Sequence, residues 1–155
     1  MHPLDPVYDE KSRTLILGSM PSVVSRRDMK YYAHPQNRFW RTMEDLYEES
    51  ASDWREFILR HHLALWDVIK TCDISSSSDA SIKNVEVNDI AELIAKTNIE
   101  NIFVLGKKGY DLYNRYVKAK TGIEAIYLPS PSAANATISK EELAKIYSII
   151  KEVTK

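Results

Sequence analysis

Ten residues, Tyr31-Tyr32-Ala33-His34-Pro35-Gln36-Asn37-Arg38-Phe39-Trp40, hold two aromatics, two carboxamides, a cation and two further aromatics. A flat stacking surface beside a polar orienting group and a positive charge is the chemistry that holds an unpaired nucleobase. The run lies shortly after an apolar stretch that ends in Gly18-Ser19-Met20-Pro21-Ser22. Other chemistries are poorly served. Gly106-Lys107-Lys108-Gly109 lacks the glycine spacing and hydroxyl of a phosphate-binding P-loop, and no Gly-x-Gly-x-x-Gly occurs, which argues against ATP and NAD. His61 and His62 are adjacent and would diverge rather than chelate one ion, so with a single cysteine no metal site is expected. Ser19 and the other serines have no evident His–acid partnership.

Such residues need elements to hold them. Thr14-Leu15-Ile16-Leu17-Gly18 predicts a short buried strand. From Gln36 onward, Phe39, Trp40, Met43, Leu46 and Tyr47 recur at helical spacing, and Asp53 can cap a helix bearing Trp54, Phe57 and Ile58. Leu63 to Ile69 predicts a second strand, Ser75 to Ser78 a loop, and Asn88 the cap of a helix bearing Ile90, Leu93 and Ile94. Strands follow at Asn101–Gly106 and Ala125–Leu128, separated by a helix from about Lys107 to Lys118. The last helix opens on Ser139 and Glu142 at capping-box spacing and carries Leu143, Ile146 and Ile149. Strands alternating with helices predict a three-layer α/β/α architecture around a four-stranded, mainly parallel sheet. Parallel sheets bind ligands beyond the carboxyl ends of their strands. The unusual polar and Gly/Pro/Ser segments lie just there: Gly18 to Ser22, Asp67 onward, Gly106 to Lys108, and Pro129 to Asn135.

At 155 residues the chain is expected to form one domain spanning residues 1–155, with a core of its own. Its apolar runs are too short to cross a membrane, and its first residues resemble no secretion signal. Cys72 stands alone, which predicts a free core thiol and a cytoplasmic protein; a monomer is expected. A net charge of −1 argues against a non-specific DNA coat. Basic residues nevertheless gather near the aromatic run (Arg26, Arg27, Lys30, Arg38, Arg41) and acids elsewhere (Glu44, Asp45, Glu48, Glu49, Asp53), which predicts one face suited to an anionic ligand.

Taken in order, Gly18-Ser19-Met20-Pro21-Ser22, Ala33 to Trp40, Val104 to Lys108, and Leu128-Pro129-Ser130-Pro131-Ser132 resemble the uracil-DNA glycosylase superfamily. The Ala-His-Pro-x-Asn-Arg-Phe-Trp run is similar to the mismatch-specific uracil/thymine glycosylases. The whole pattern, with Trp66-Asp67-Val68-Ile69 and Ser78-Asp79-Ala80-Ser81-Ile82, is most similar to the hypoxanthine-DNA (deoxyinosine) branch. The resemblance implies an enzyme that flips a deaminated base out of DNA and hydrolyses its N-glycosidic bond, without cofactor or metal. It implies that Asn37 is the catalytic polar residue and that Tyr32 stacks on the base. Ser19, Phe39, Trp66 and Asp67 are expected to complete the base pocket. Asp67 is expected to accept the N1–H of hypoxanthine, which adenine lacks. Pro129 to Asn135 resembles the segment that grips phosphates and fills the gap left by the flipped base. The DNA contacts it implies are Ser130, Ser132, Ala134 and Asn135, with Ser22 and Lys107 beside them.

The sequence departs from the uracil-specific relatives at Met20, where they carry Asp or Asn to serve the water. A thioether can do neither job, so hypoxanthine rather than uracil is the expected substrate. A G:T/U mismatch-specific uracil enzyme, and a nucleic-acid binder that has lost catalysis, are the alternative readings.

Overall fold

In a computed structural model, which describes residues 4–74, 82–135 and 137–154, the chain forms a central sheet with helices on both faces. The elements are β1 (Thr14–Gly18), α1 (Val23–Asp28), α2 (Phe39–Tyr47), α3 (Trp54–Arg60), β2 (Leu63–Asp67), β3 (Ile69–Ile74), β4 (Ile82–Val87), α4 (Ile90–Ala95), β5 (Asn101–Leu105), α5 (Lys107–Tyr116), α6 (Lys118–Thr121), β6 (Ala125–Leu128) and α7 (Lys140–Val153). Strand order is β2-β1-β5-β6, every pair is parallel, and the register brings Gly18 beside Asp67 and Leu105 beside Leu128. The carboxyl ends therefore lie along one rim.

Alternation along the strands divides the core in two. Ile16, Leu65 and Phe103 face α2, α3 and α7, where they meet Phe39, Met43, Phe57, Leu143 and Tyr147. Leu15, Leu17, Ile102 and Val104 face the other way, onto Ile90, Leu93, Leu112 and Tyr113 from α4 and α5. Most of these side chains are wholly removed from solvent, and each such Leu, Ile or Phe contributes about 1.5–3 kcal/mol.

The expected sheet and α/β/α layering are present, with local differences. The run Leu63 to Ile69 divides: β2 ends at Asp67, and Ile69 begins β3, which pairs antiparallel with β4 in a separate two-stranded ribbon. Asp89, not Asn88, caps α4, its side chain accepting from the Glu92 amide, while Asn88 is buried and donates to the Asp67 carbonyl at 2.7 Å. The helix expected from Lys107 to Lys118 ends at Tyr116 and is followed by the single turn of α6. The capping box at Ser139 and Glu142 forms as expected. The Ser75–Ser78 run, most of Ser78 to Ile82 and the Cys72 side chain lie outside what is described.

Candidate active site

On the rim of the sheet lies a cavity of about 460 Å³, walled by the segments that follow β1, β2 and β6 and by the aromatic run. Gly18, Ser19, Met20 and Ser22 form one side, Tyr32, His34 and Asn37 another, Asp67 sits at the end of β2, and Ser130 to Ala134 close the third side. Rim and floor are pinned together through the backbone. Val68 and Ile69 donate to the carbonyls of Gly18 and Ser19 at 2.8 and 2.9 Å, so the pairing of β1 with β2 runs on to the cavity edge.

The aromatic run is folded as a compact loop. Trp40 Nε1 donates to the Tyr31 carbonyl at 2.7 Å, and the Ala33 amide donates to Oγ of buried Ser25 at 3.1 Å. His34 Nδ1 accepts from the Gln36 amide at 3.1 Å, which leaves the ring proton on Nε2 in the neutral form. Tyr32 takes φ +55°, a left-handed conformation that costs a bulky residue energy and occurs where tertiary packing enforces it. The enforcing contact is Phe39, whose ring is stacked on Tyr32 with centroids 4.1 Å apart.

Asn37 occupies the turn into α2. Its Oδ1 accepts from the Phe39 amide at 2.9 Å. An amide hydrogen needs an acceptor, so this bond fixes which end of the carboxamide is oxygen. The Nδ2 hydrogens have no partner among the described residues, and the residue lines the cavity. The group is therefore an anchored hydrogen-bond donor.

Asp67 is 5% exposed, and no described residue donates a hydrogen bond to its carboxyl. Burial pushes its pKa up to about 7. Next to it the Tyr32 hydroxyl is buried without a partner, and burial reinforced by the Asp67 charge pushes that phenol well above its ordinary value. Gly18 makes room for both. A Cβ there would lie 2.7 Å from Asp67 Oδ1 and 3.3 Å from the Tyr32 hydroxyl. Gly18→Ala should therefore cost about 1–3 kcal/mol, as overpacking of a dense core does. A urea melt measures it, and an unchanged midpoint would mean that the carboxyl swings aside freely.

The loop after β6 is built by its own hydroxyls. Ser130 Oγ accepts from the Ser132 amide at 3.1 Å and Ser132 Oγ from the Ala134 amide at 3.2 Å. Their oxygens are engaged as acceptors and their hydrogens remain available for an anion. Ser22 caps α1 by accepting from the Ser25 amide at 3.1 Å.

Among the residues singled out from the sequence, Asn37, Tyr32, Ser19, Asp67, Ser22, Ser130, Ser132 and Ala134 meet at this cavity. Four do not. Phe39 is fully buried behind Tyr32, and half-buried Trp66 packs into the hydrophobic core. Asn135 turns inward, its Nδ2 donating to the Ser130 carbonyl at 3.2 Å. Lys107 lies outside the cavity lining and pairs with Asp111 at 3.1 Å on α5. Sequence reasoning missed Ser25, which serves the loop through its hydroxyl, and the inward course of Arg38. A serine in a polar helix of six residues gives no signal of burial.

Comparison with known proteins shows the family. The family model described as the uracil DNA glycosylase superfamily matches residues 6–152. The chain is 37% identical over 136 residues to a protein of Methanosarcina barkeri (strain Fusaro / DSM 804) named hypoxanthine DNA glycosylase, covering 84% of this chain and 85% of that one. It is 35% identical over 142 residues to a protein of the same name from Methanosarcina acetivorans, covering 86% and 87%. The solution NMR structure of a Methanosarcina acetivorans protein, a candidate uracil DNA glycosylase, superposes with TM-score 0.80 at 29% identity, over 97% of this chain and 98% of that chain. The chain thus belongs to the uracil DNA glycosylase superfamily and is a DNA glycosylase, a hydrolase.

Proposed function

We propose that the chain excises hypoxanthine from deoxyinosine in DNA as a monofunctional glycosylase, leaving an abasic site. The observation that carries this reading is the unpartnered Asp67 carboxyl on the cavity wall. Ionised, it accepts the N1–H of hypoxanthine, whereas N1 of adenine is itself an acceptor and would face it unfavourably. The names of the two Methanosarcina relatives support the same substrate. Met20 lines the cavity where the uracil-specific pattern requires Asp or Asn.

The residues divide the chemistry among them. Tyr32, backed by Phe39, offers a platform for the flipped base, and such stacking is worth about 1–3 kcal/mol per base. As the N-glycosidic bond breaks, its electron pair leaves with the purine and positive charge develops on the sugar. The Asn37 Nδ2 hydrogens, fixed in place through Oδ1, donate to the base as that negative charge appears. Water then adds to C1′ and loses a proton to solvent. Ser130 and Ser132 donate to the flanking phosphates, whereas the Ser22 hydroxyl on the opposite side is spent on Ser25 Oγ at 3.1 Å. The enzyme acts as a cytoplasmic monomer, and no helix among the described residues is long and apolar enough to cross a membrane.

Single-turnover cleavage of oligonucleotides carrying hypoxanthine, uracil or a G:T mismatch, followed by alkaline work-up, tests the reading. Cleavage at hypoxanthine is expected. Cleavage mainly at uracil or G:T would assign the chain to mismatch-specific uracil chemistry despite Met20. Lesion binding without any cleavage would make it a binding protein that has lost catalysis.

A further inference from the structure

Arg38 follows Asn37 in the chain and by type belongs with the cations expected to meet phosphate. Its side chain takes another course. Nη1 donates to the Ile138 carbonyl at 2.6 Å, Nη2 to those of Asn135 and Ser132 at 2.9 and 3.2 Å, and Nε to that of Pro131 at 3.4 Å. Its backbone amide also donates to the Pro131 carbonyl, at 3.0 Å. Four of the five guanidinium N–H donors are thus directed at backbone oxygens of the segment between β6 and α7.

We propose that Arg38 is a positioning residue: its guanidinium fixes the Ser130–Asn135 loop against the Asn37 turn, so that the phosphate-gripping wall and the carboxamide wall move as one body. The inference rests on the reading of this cavity as the excision site. Three features support it. The guanidinium is a rigid planar fork whose donors diverge, and it meets carbonyls that come from four residues; a lysine ammonium is compact and cannot span them. With those carbonyls turned inward, the hydroxyls of Ser130 and Ser132, which line the cavity, are the loop's polar groups on the other side. Asn37 and Arg38 are consecutive, so displacement of the loop is passed to the catalytic turn through a single peptide unit. Catalysis of this kind is sensitive to small misplacements of a donor.

Arg38→Lys and Arg38→Ala, each with the melting temperature recorded, test the proposal in three readouts. Single-turnover excision from deoxyinosine DNA should fall at least about 30-fold in both variants, because charge without the fork does not hold the loop. Added guanidinium ion should partly restore the alanine variant. The slope of log Kd against log salt for the same DNA should stay unchanged, since no phosphate contact is lost. Amide exchange at Ser132, Ala134 and Asn135 should quicken about tenfold or more while the strands keep their protection. A lysine variant at the wild-type rate would overturn the proposal. So would a salt slope reduced by about one, which marks a lost phosphate contact, or failure of both variants to fold, which would assign Arg38 to the whole fold. A wild-type protein that cleaves no lesion would instead sink the functional reading, with the exchange data still reporting on the clamp.

Discussion

Asn37→Asp should leave the protein folded and lower single-turnover hypoxanthine excision by about 10²–10³-fold, the usual cost of removing one pre-organised donor at a site of developing charge. Aspartate keeps the anchor, because a carboxylate oxygen accepts from the Phe39 amide as Oδ1 of the carboxamide does at 2.9 Å. It loses the Nδ2 hydrogens and sets a negative charge against a leaving purine that is itself becoming negative. Asn37→Ala should show a similar loss of rate and, in addition, about 1 kcal/mol less stability from the lost hydrogen bond to the Phe39 amide. The pair of variants separates two roles that one residue could combine. If Asn37 served only the turn, the aspartate variant would excise at the normal rate and the alanine variant would be merely less stable. If the side chain activated water through its oxygen, aspartate would be as good or better. Binding to lesion DNA should change little in either variant, because the proposed function assigns stacking and phosphate contacts to other residues.

Parts of this site were legible in the sequence and parts were not, for physical reasons. Short apolar runs closed by Gly18, Asp67 and Gly106 are what a parallel sheet buried on both faces requires, and polar segments beyond them mark the binding rim. Those signals are local and one-dimensional. Whether Phe39 touches a ligand or supports the residue that does depends on Tyr32 taking a left-handed backbone, which neither residue type announces. Arg38 reads as a surface cation until the loop that satisfies it, about a hundred residues later in the chain, is brought alongside. The ribbon of β3 and β4 escaped notice because its register shifts twice, which breaks the alternation by which a strand is recognised. The helix α1 has six residues, two of them β-branched, and depends on its cap at Ser22 and the left-handed Met29 rather than on propensity.

Asp67 should leave a pH signature in both stability and substrate choice. Its pKa is pushed up to about 7 by burial, against about 3.9 in an unfolded chain. Between those values the folded protein holds a proton that the unfolded chain has released. Unfolding free energy therefore falls as pH rises from about 4 to about 7 and levels off above, with a total swing of at most about 4 kcal/mol. The Tyr32 phenol beside it is pushed upward and stays neutral throughout, so this step belongs to the carboxyl. On the proposed reading, the ionisation that costs stability also creates the acceptor for hypoxanthine N1–H. Excision from deoxyinosine should accordingly rise by roughly tenfold between pH 6 and pH 8 as the ionised fraction grows. Below pH 7 the neutral carboxyl can donate to N1 of adenine, so discrimination against normal DNA should narrow there. Asp67→Asn removes the titration while preserving size. Urea melts and excision assays at both pH values should then show the two steps vanish together. Persistence of either step in the asparagine variant would assign it to another group and take Asp67 out of base recognition.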